Sequence, residues 1–265
     1  FSHEYIRFVE GEVQDHVVPN KDDPWIMGYY YGFGSFDREW MWINDTLERK
    51  GSPGRERLLS VLEDRYQENI KDLNEAYGTR FKSFQGLKAN GTLEYPNWVT
   101  HHKAGRAPMP KTDGSQSIYD DATALLGEIV ELVHQLGHTE IRKVDKTHMI
   151  LGCYVKEATY TEEIWHRIAP YIDVLAPQHV SKVFPINPMV EALGKPAIIS
   201  DQPYGNVYSD HLLTQRAAHG PVPDHVDRHL LYNLLAERIS VDSDMAGANF
   251  CACLFDQSHW EKDYE

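Results

Sequence analysis

The feature that most constrains this chain is a rhythm. Short apolar runs without strict alternation recur, and stretches of helical periodicity separate them. His148-Met-Ile-Leu-Gly-Cys-Tyr-Val155, Ile172-Asp-Val-Leu-Ala176 and Pro196-Ala-Ile-Ile-Ser200 are three such runs, each bounded by turn residues. A strand buried on both faces reads this way, because neither side of it meets water. Helical stretches near 161–169 and 185–193 lie between the runs. Strand and helix in alternation predict an α/β fold with a parallel sheet.

The same pattern extends in both directions. Trp25-Ile-Met-Gly-Tyr-Tyr-Tyr31 reads as a strand behind Pro24. Ser52-Pro53 is a helix start, with Ser as N-cap and Pro in the first turn. Leu58, Leu62, Tyr66, Ile70 and Leu73 follow at helical spacing, and Gly78 is a stop signal. A second long helix is expected from near Ser117, with Ala122, Leu125, Leu126, Ile129, Leu132, Val133 and Leu136 as its core face and Gly137 as its end. A last helix near 223–241 feeds a final strand over 246–255. Residues 88–116 are rich in Gly, Pro, Asn and Lys and lack periodicity, which predicts a long surface excursion of the kind that is often functional.

Composition bounds what the chain does. Its 265 residues are 42% hydrophobic and 25% charged. That suffices for one sizeable core, and roughly 250 residues is the usual size of an α/β barrel. The expectation is a single domain over 1–265. The formal net charge of −14 argues against nucleic acid or an anionic membrane as main partner. No run of about 18 apolar residues predicts a membrane span. Cys153, Cys251 and Cys253 lie in apolar stretches and read as buried free thiols. Asn44 and Asn90 open glycosylation sequons. His225 and His229 stand one helical turn apart, but no metal-ligand set with a general-base Glu surrounds them, and His101-His102 are no stronger. No metal and no cofactor are expected.

Several segments resemble one family of proteins. Asp22-Asp-Pro-Trp-Ile-Met-Gly-Tyr-Tyr30 is similar to the fourth-strand region of β-agarases and related β-galactosidases. Leu73-Asn-Glu-Ala-Tyr-Gly-Thr-Arg-Phe-Lys-Ser-Phe84 resembles their LN-x-x-(W/Y)-G-T stretch. Lys143-Val-Asp-Lys-Thr-His-Met-Ile-Leu-Gly152 resembles the approach to strand five. Ile172-Asp-Val matches strand six, Gly194-Lys-Pro-Ala-Ile-Ile-Ser-Asp201 the end of strand seven, and the final strand matches strand eight. The order is right along nearly the whole chain.

The resemblance implies a (β/α)₈ TIM barrel of which this chain covers roughly strands four to eight. Strands one to three would come from a missing N-terminal segment or a partner chain. It also implies a glycoside hydrolase acting on a galactose-containing, agar- or carrageenan-like polysaccharide, secreted or periplasmic. In such enzymes two carboxyl groups do the work, at the C-terminal mouth of the barrel.

Here the pattern departs from the family. The Asn-Glu pair expected after strand four is absent, and the chain reads Tyr31-Gly-Phe-Gly-Ser35. The nearest glutamate is Glu39, which either swings into the site or merely starts the next helix. Strand seven ends in Asp201 rather than Glu, which is shorter by one methylene where reacting atoms must approach to about 3–3.5 Å. Asp201 reads as nucleophile, base or sugar acceptor, or else as a cap on the following turn. Tyr31, Glu157, His179, Asp256 and Trp260 follow the strands and are candidate substrate-binding residues for an oligo- or polysaccharide. The ordinary alternatives are core packing for the aromatics and a satisfied loop histidine for His179. An enzyme is the first expectation. A non-catalytic glycan-binding or structural barrel that has lost its acid/base Glu is the alternative.

Overall fold

The computed structural model describes residues 1–30, 39–99, 109–153, 155–156, 161–178, 186–202, 233, 237 and 245–250. The chain forms two compact units, one built of helices and one carrying the strands.

The helical unit begins with α1 (His3–Glu12), capped by the Ser2 side chain on the Tyr5 amide. It continues with α2 (Glu39–Glu48), α3 (Pro53–Arg65), α4 (Ile70–Tyr77), α5 (Phe84–Asn90) and α6 (Ser115–Val144), and also holds α7 (Glu162–Ile168). The caps follow the sequence. Ser52, Asn69, Ser83 and Thr161 each accept a first-turn amide hydrogen, which satisfies donors that have no partner inside the helix.

Two sequence expectations fail here. The periodicity over Leu58 to Leu73 is broken, because Gln67 and Glu68 take positive φ (49° and 61°) and Asn69 starts a new helix. An asparagine offering its side chain to the Lys71 amide favours a fresh start over continuation. Gly137 does not end α6, which runs 30 residues to Val144. Gly137 is buried within it. A glycine costs a helix only about 1 kcal/mol, and packing on a buried helix exceeds that.

α6 is the axis of this unit. Every residue from Asp121 to Glu128 is buried, as expected for a helix surrounded by others. Its buried acids are paired. Asp121 Oδ1 accepts from Arg65 Nε (2.8 Å), and Oδ2 accepts from the hydroxyls of Tyr66 (2.7 Å) and Tyr77 (2.9 Å). Glu128 receives Arg57 and Arg167, and Arg167 also reaches Glu131. Burial and the Asp121 charge push the Tyr66 and Tyr77 hydroxyls upward in pKa, so they stay protonated donors.

Part of the expected surface excursion is anchored. Leu93, Tyr95 and Val99 are buried. Asn44 grips the Tyr95 backbone from both ends of its amide, at 3.0 and 2.8 Å. Residues 100–108 of this stretch lie outside the described residues.

The second unit carries the sheet. Its strands are β1 (Gly28–Tyr30, joined here through Tyr30), β2 (Met149–Gly152), β3 (Val155–Lys156), β4 (Pro177–Gln178), β5 (Ala197–Gln202) and β6 (Met245–Phe250), with α8 (Ile186–Leu193) between β4 and β5. β1 pairs with β2, and β3-β4-β5-β6 form a second ladder, parallel throughout. Two bonds link β2 to the next run. The Asp173 amide donates to the Ile150 carbonyl (2.7 Å), and the Ile150 amide donates to Asp173 Oδ2 (2.7 Å). Leu175 bridges Ala197. The strands therefore neighbour one another in chain order, as consecutive βα units require. Leu151, Val174, Ala176 and Ile198 form their core, with Tyr30 and Met149 packed against it.

The fold class is thus α/β with a mostly parallel sheet, as the apolar runs predicted. The eight-stranded barrel is only partly represented: among the described residues the strands form two ladders that do not close. The runs at 148–155 and 172–176 are also more broken than the sequence implied. The first holds β2 and the start of β3, and the second holds an isolated bridge at Leu175, with the short β4 just after it. Among the described residues no helix is long and apolar enough to cross a membrane. Cys153 is buried. Cys251, Cys253, His101, His102, His225 and His229 lie outside the described residues.

Candidate functional site

Asp201 is the fifth of the six residues of β5. The pairing with β6 is irregular there. Ile199 faces Ala248 and Gln202 faces Phe250, so three steps along β5 match two along β6. One extra residue is accommodated in the span holding Ser200 and Asp201. Bulges of this kind interrupt the ladder and re-aim the local chain, and they recur beside active sites. On the other side, Ser200 pairs with Gln178 at the end of β4, and β4 pairs with β3 through Lys156 and Gln178. Because all four strands run parallel, Lys156, Gln178, Gln202 and Phe250 end them on one side.

Of the candidate residues read from the sequence, Asp201 and Glu39 fall among the described residues. Asp201 sits in the strand unit, and Glu39 opens α2 in the helical unit. Tyr31, Glu157, His179, Asp256 and Trp260 lie outside the described residues. Glu157 and His179 directly follow β3 and β4 in the chain.

Two of the resembled motifs have a local structural explanation. In Leu73-Asn-Glu-Ala-Tyr-Gly-Thr, Leu73 is fully buried and Gly78 closes α4 at φ +64°. Asn74 Nδ2 donates to the Phe81 carbonyl, and Oδ1 accepts from the Phe81 amide and the Thr79 hydroxyl. The motif is a helix stop with its return loop tied down.

In Asp145-Lys-Thr-His148, Asp145 Oδ1 accepts from the Thr147 amide and hydroxyl and the His148 amide. Oδ2 accepts from the Tyr29 hydroxyl (2.7 Å) and His148 Nδ1 (2.6 Å). These donors hold the Asp145 carboxyl well below the usual range despite its burial, and the hydrogen bonds that His148 makes to Asp145 and to the Asp23 backbone hold its ring above the ordinary value. Sequence reasoning took this stretch as a family signature and did not foresee the Tyr29–Asp145–His148 knot. The aspartate with a histidine three residues on was the available signal. The knot precedes β2, whereas active sites of parallel α/β proteins follow their strands.

No protein-family profile matches the chain. Over 191 residues it is 23% identical to a β-agarase B of a Vibrio species (strain JT0107), which covers 66% of this chain and 18% of that protein. A crystal structure of an agarase superposes on 95% of this chain and 34% of its own, with a TM-score of 0.68 and 17% identity.

The fold is that of a segment of the agarases.

An exo-β-agarase gives the same result, with a TM-score of 0.67 at 19% identity, over 95% of this chain and 32% of that one. A β-galactosidase of Marinomonas ef1 is more distant, with a TM-score of 0.53 at 13% identity, over 94% and 37%. The agarase-like segment thus spans about a third of these solved structures and less of the curated relative. The resemblance read from six short motifs is the one found across the fold.

Proposed function

We propose that this chain belongs to a glycoside hydrolase acting on a galactose-containing polysaccharide of the agar or carrageenan type. Its sheet would be the fourth to eighth strands of a (β/α)₈ barrel, with Asp201 at the mouth. The observation that carries this is the placement of Asp201, at the C-terminal end of β5 and within an interrupted stretch of the ladder. It supports a site role because loops and bulges at that end build the active sites of such sheets.

A retaining mechanism needs a second carboxyl about 5–5.5 Å away, and an inverting one a second carboxyl about 6.5–9.5 Å away. Glu39, Glu157 and Asp256 are the candidates for it. Tyr31, His179 and Trp260 would bind the sugar. The remaining barrel strands would come from a further N-terminal segment or a partner chain.

The test is Asp201→Asn in the intact protein, assayed for reducing ends from agar oligosaccharides. Turnover should vanish while the melting temperature stays within a few degrees. Undiminished hydrolysis by this variant would take Asp201 out of the mechanism.

A second reading is favoured by the sequence Tyr31-Gly-Phe-Gly-Ser35 where the family has its Asn-Glu pair. A barrel without its acid/base would bind glycan and not cleave it. Calorimetry would then show saturable oligosaccharide binding with no reducing ends after long incubation. Turnover that copurifies with the protein ends this reading.

A further inference from the structure

The His148 ring lies between two acceptors. Nδ1 is 2.6 Å from Asp145 Oδ2, and Nε2 is 3.0 Å from the backbone carbonyl of Asp23. A carbonyl oxygen never donates. Asp145 is also an acceptor, since four further donors from Tyr29, Thr147 and His148 surround it. A neutral imidazole carries one N–H, and an imidazolium carries two. Both contacts therefore exist together only when the ring is doubly protonated.

We infer that His148 is a protonation-dependent clasp, fastening the turn at Asp23 to the end of α6 when the ring is an imidazolium and letting that turn go when it is neutral. The arm that opens is the one to Asp23. On losing one proton the ring keeps the other on Nδ1, against the carboxylate, where the bond is shorter and charge-assisted.

Among the described residues the other hydrogen bonds of Asp23 are short in range. Asp23 donates its amide to the Asn20 carbonyl, accepts the Ile26 amide on its own carbonyl and accepts the Trp25 amide on Oδ1. All of these bonds are local. His148 ties the turn to a residue 125 positions away in the chain. The clasp thereby sets the mobility of the exposed Trp25 and of the approach to β1.

The groups around the ring come from three elements. Asp145 follows α6, and Arg142 within α6 donates Nη1 to the His148 and Asp145 carbonyls. Tyr29 of β1 stands edge-on to the ring at 5.7 Å between centroids. The turn brings Asp22 and Asp23. The carboxylates favour the imidazolium, and the hydrogen bonds to Asp145 and to the Asp23 backbone raise the His148 pKa above 6.5.

The test pairs two measurements across pH 5 to 9. Long-range ¹H–¹⁵N spectra report the ring protons of His148. Hydrogen exchange of the Ile26 amide, corrected for intrinsic rates, reports the turn. Both ring nitrogens should be protonated at pH 5.5, the midpoint should lie above 6.5, and Ile26 protection should fall severalfold with that same midpoint. In His148→Gln, Ile26 protection should be low and independent of pH. In Asp145→Asn the midpoint should move down and the Ile26 transition with it. A ring already neutral at pH 5.5 overturns the inference. So does a ring that titrates while Ile26 protection stays constant. Should Asp145→Asn fail to fold, the native titration and His148→Gln still decide.

Discussion

Asn74 holds the backbone of Phe81 at both its ends, donating to the carbonyl at 2.9 Å and accepting the amide at 2.8 Å. One side chain thereby fixes the loop that leaves α4. Asn74→Ala removes both bonds, and the one from the Thr79 hydroxyl, and leaves two backbone groups to find water. A loss of about 1–3 kcal/mol is expected, read as a lower urea midpoint at unchanged slope. Asn74→Asp keeps the acceptor and loses the donor, so it should fall between the two. Equal stability of all three proteins would show that the loop is held otherwise.

Gly114 and Gly78 both take positive φ, +81° and +64°, but in different surroundings. A Cβ on Gly78 meets nothing within 4 Å, whereas on Gly114 it runs into the carbonyl of Ala76 on α4. Gly78→Ala should cost only the backbone strain, roughly 1–2 kcal/mol. Gly114→Ala adds a collision with main chain, for roughly 2–5 kcal/mol in all. Denaturation of the two variants side by side checks the ordering, and similar losses would refute the close approach.

Arg55 is 1% exposed and spends its guanidinium on main-chain carbonyls, Leu47 near the end of α2 and Leu87, Lys88 and Gly91 around the end of α5. A cation at two helix C-termini meets orphan carbonyls and the negative end of each dipole. Lysine has the charge but not the planar fork. Arg55→Lys should cost about 3–5 kcal/mol, because several buried carbonyls lose their donors together. Thermal and chemical unfolding will show this as a large drop, and a near-native Tm would contradict it.

His134 and His148 act on opposite limbs of the dependence of stability on pH. His134 is buried, its Nδ1 lies 2.7 Å from the Val130 carbonyl, and burial lowers its pKa to about 4. The unfolded chain takes up this proton near pH 6.5 and the native one only near 4, so stability falls as pH drops through that window. His148 has a raised pKa. Its contribution is complete below pH 6.5 and is lost as pH rises through the folded value. Stability measured at pH 4, 5.5, 7 and 8.5 should show both limbs. His134→Gln should flatten the acid limb and leave the other in place. An acid limb unchanged in that variant would assign the loss to other groups.

Much of the local structure was legible because it is encoded over a few residues. Ser52 and Gly78 announced their caps, since a hydroxyl on a free amide or a left-handed glycine acts within one turn. Position 137 misled, because a glycine's local cost is small beside the burial of a 30-residue helix, and that burial depends on neighbours far off in the chain. The break at Gln67–Glu68 was masked by hydrophobic spacing that runs through two helices as if they were one. Asp201 was reached through resemblance to strand seven. The irregular pairing around it could not be, since register exists only once β6 lies alongside.

The amino-acid order by itself determined the kind and succession of elements, parallel strands alternating with helices, because periodicity and capping are properties of short segments. The tertiary structure decided which polar groups are buried and who satisfies them: Asp121 with two tyrosines and an arginine, Arg55 on carbonyls of two helices, His148 between Asp145 and Asp23. Most of those choices join residues tens to more than a hundred positions apart. A buried charge or donor is tolerated only where the folded chain happens to bring its partner within hydrogen-bonding distance.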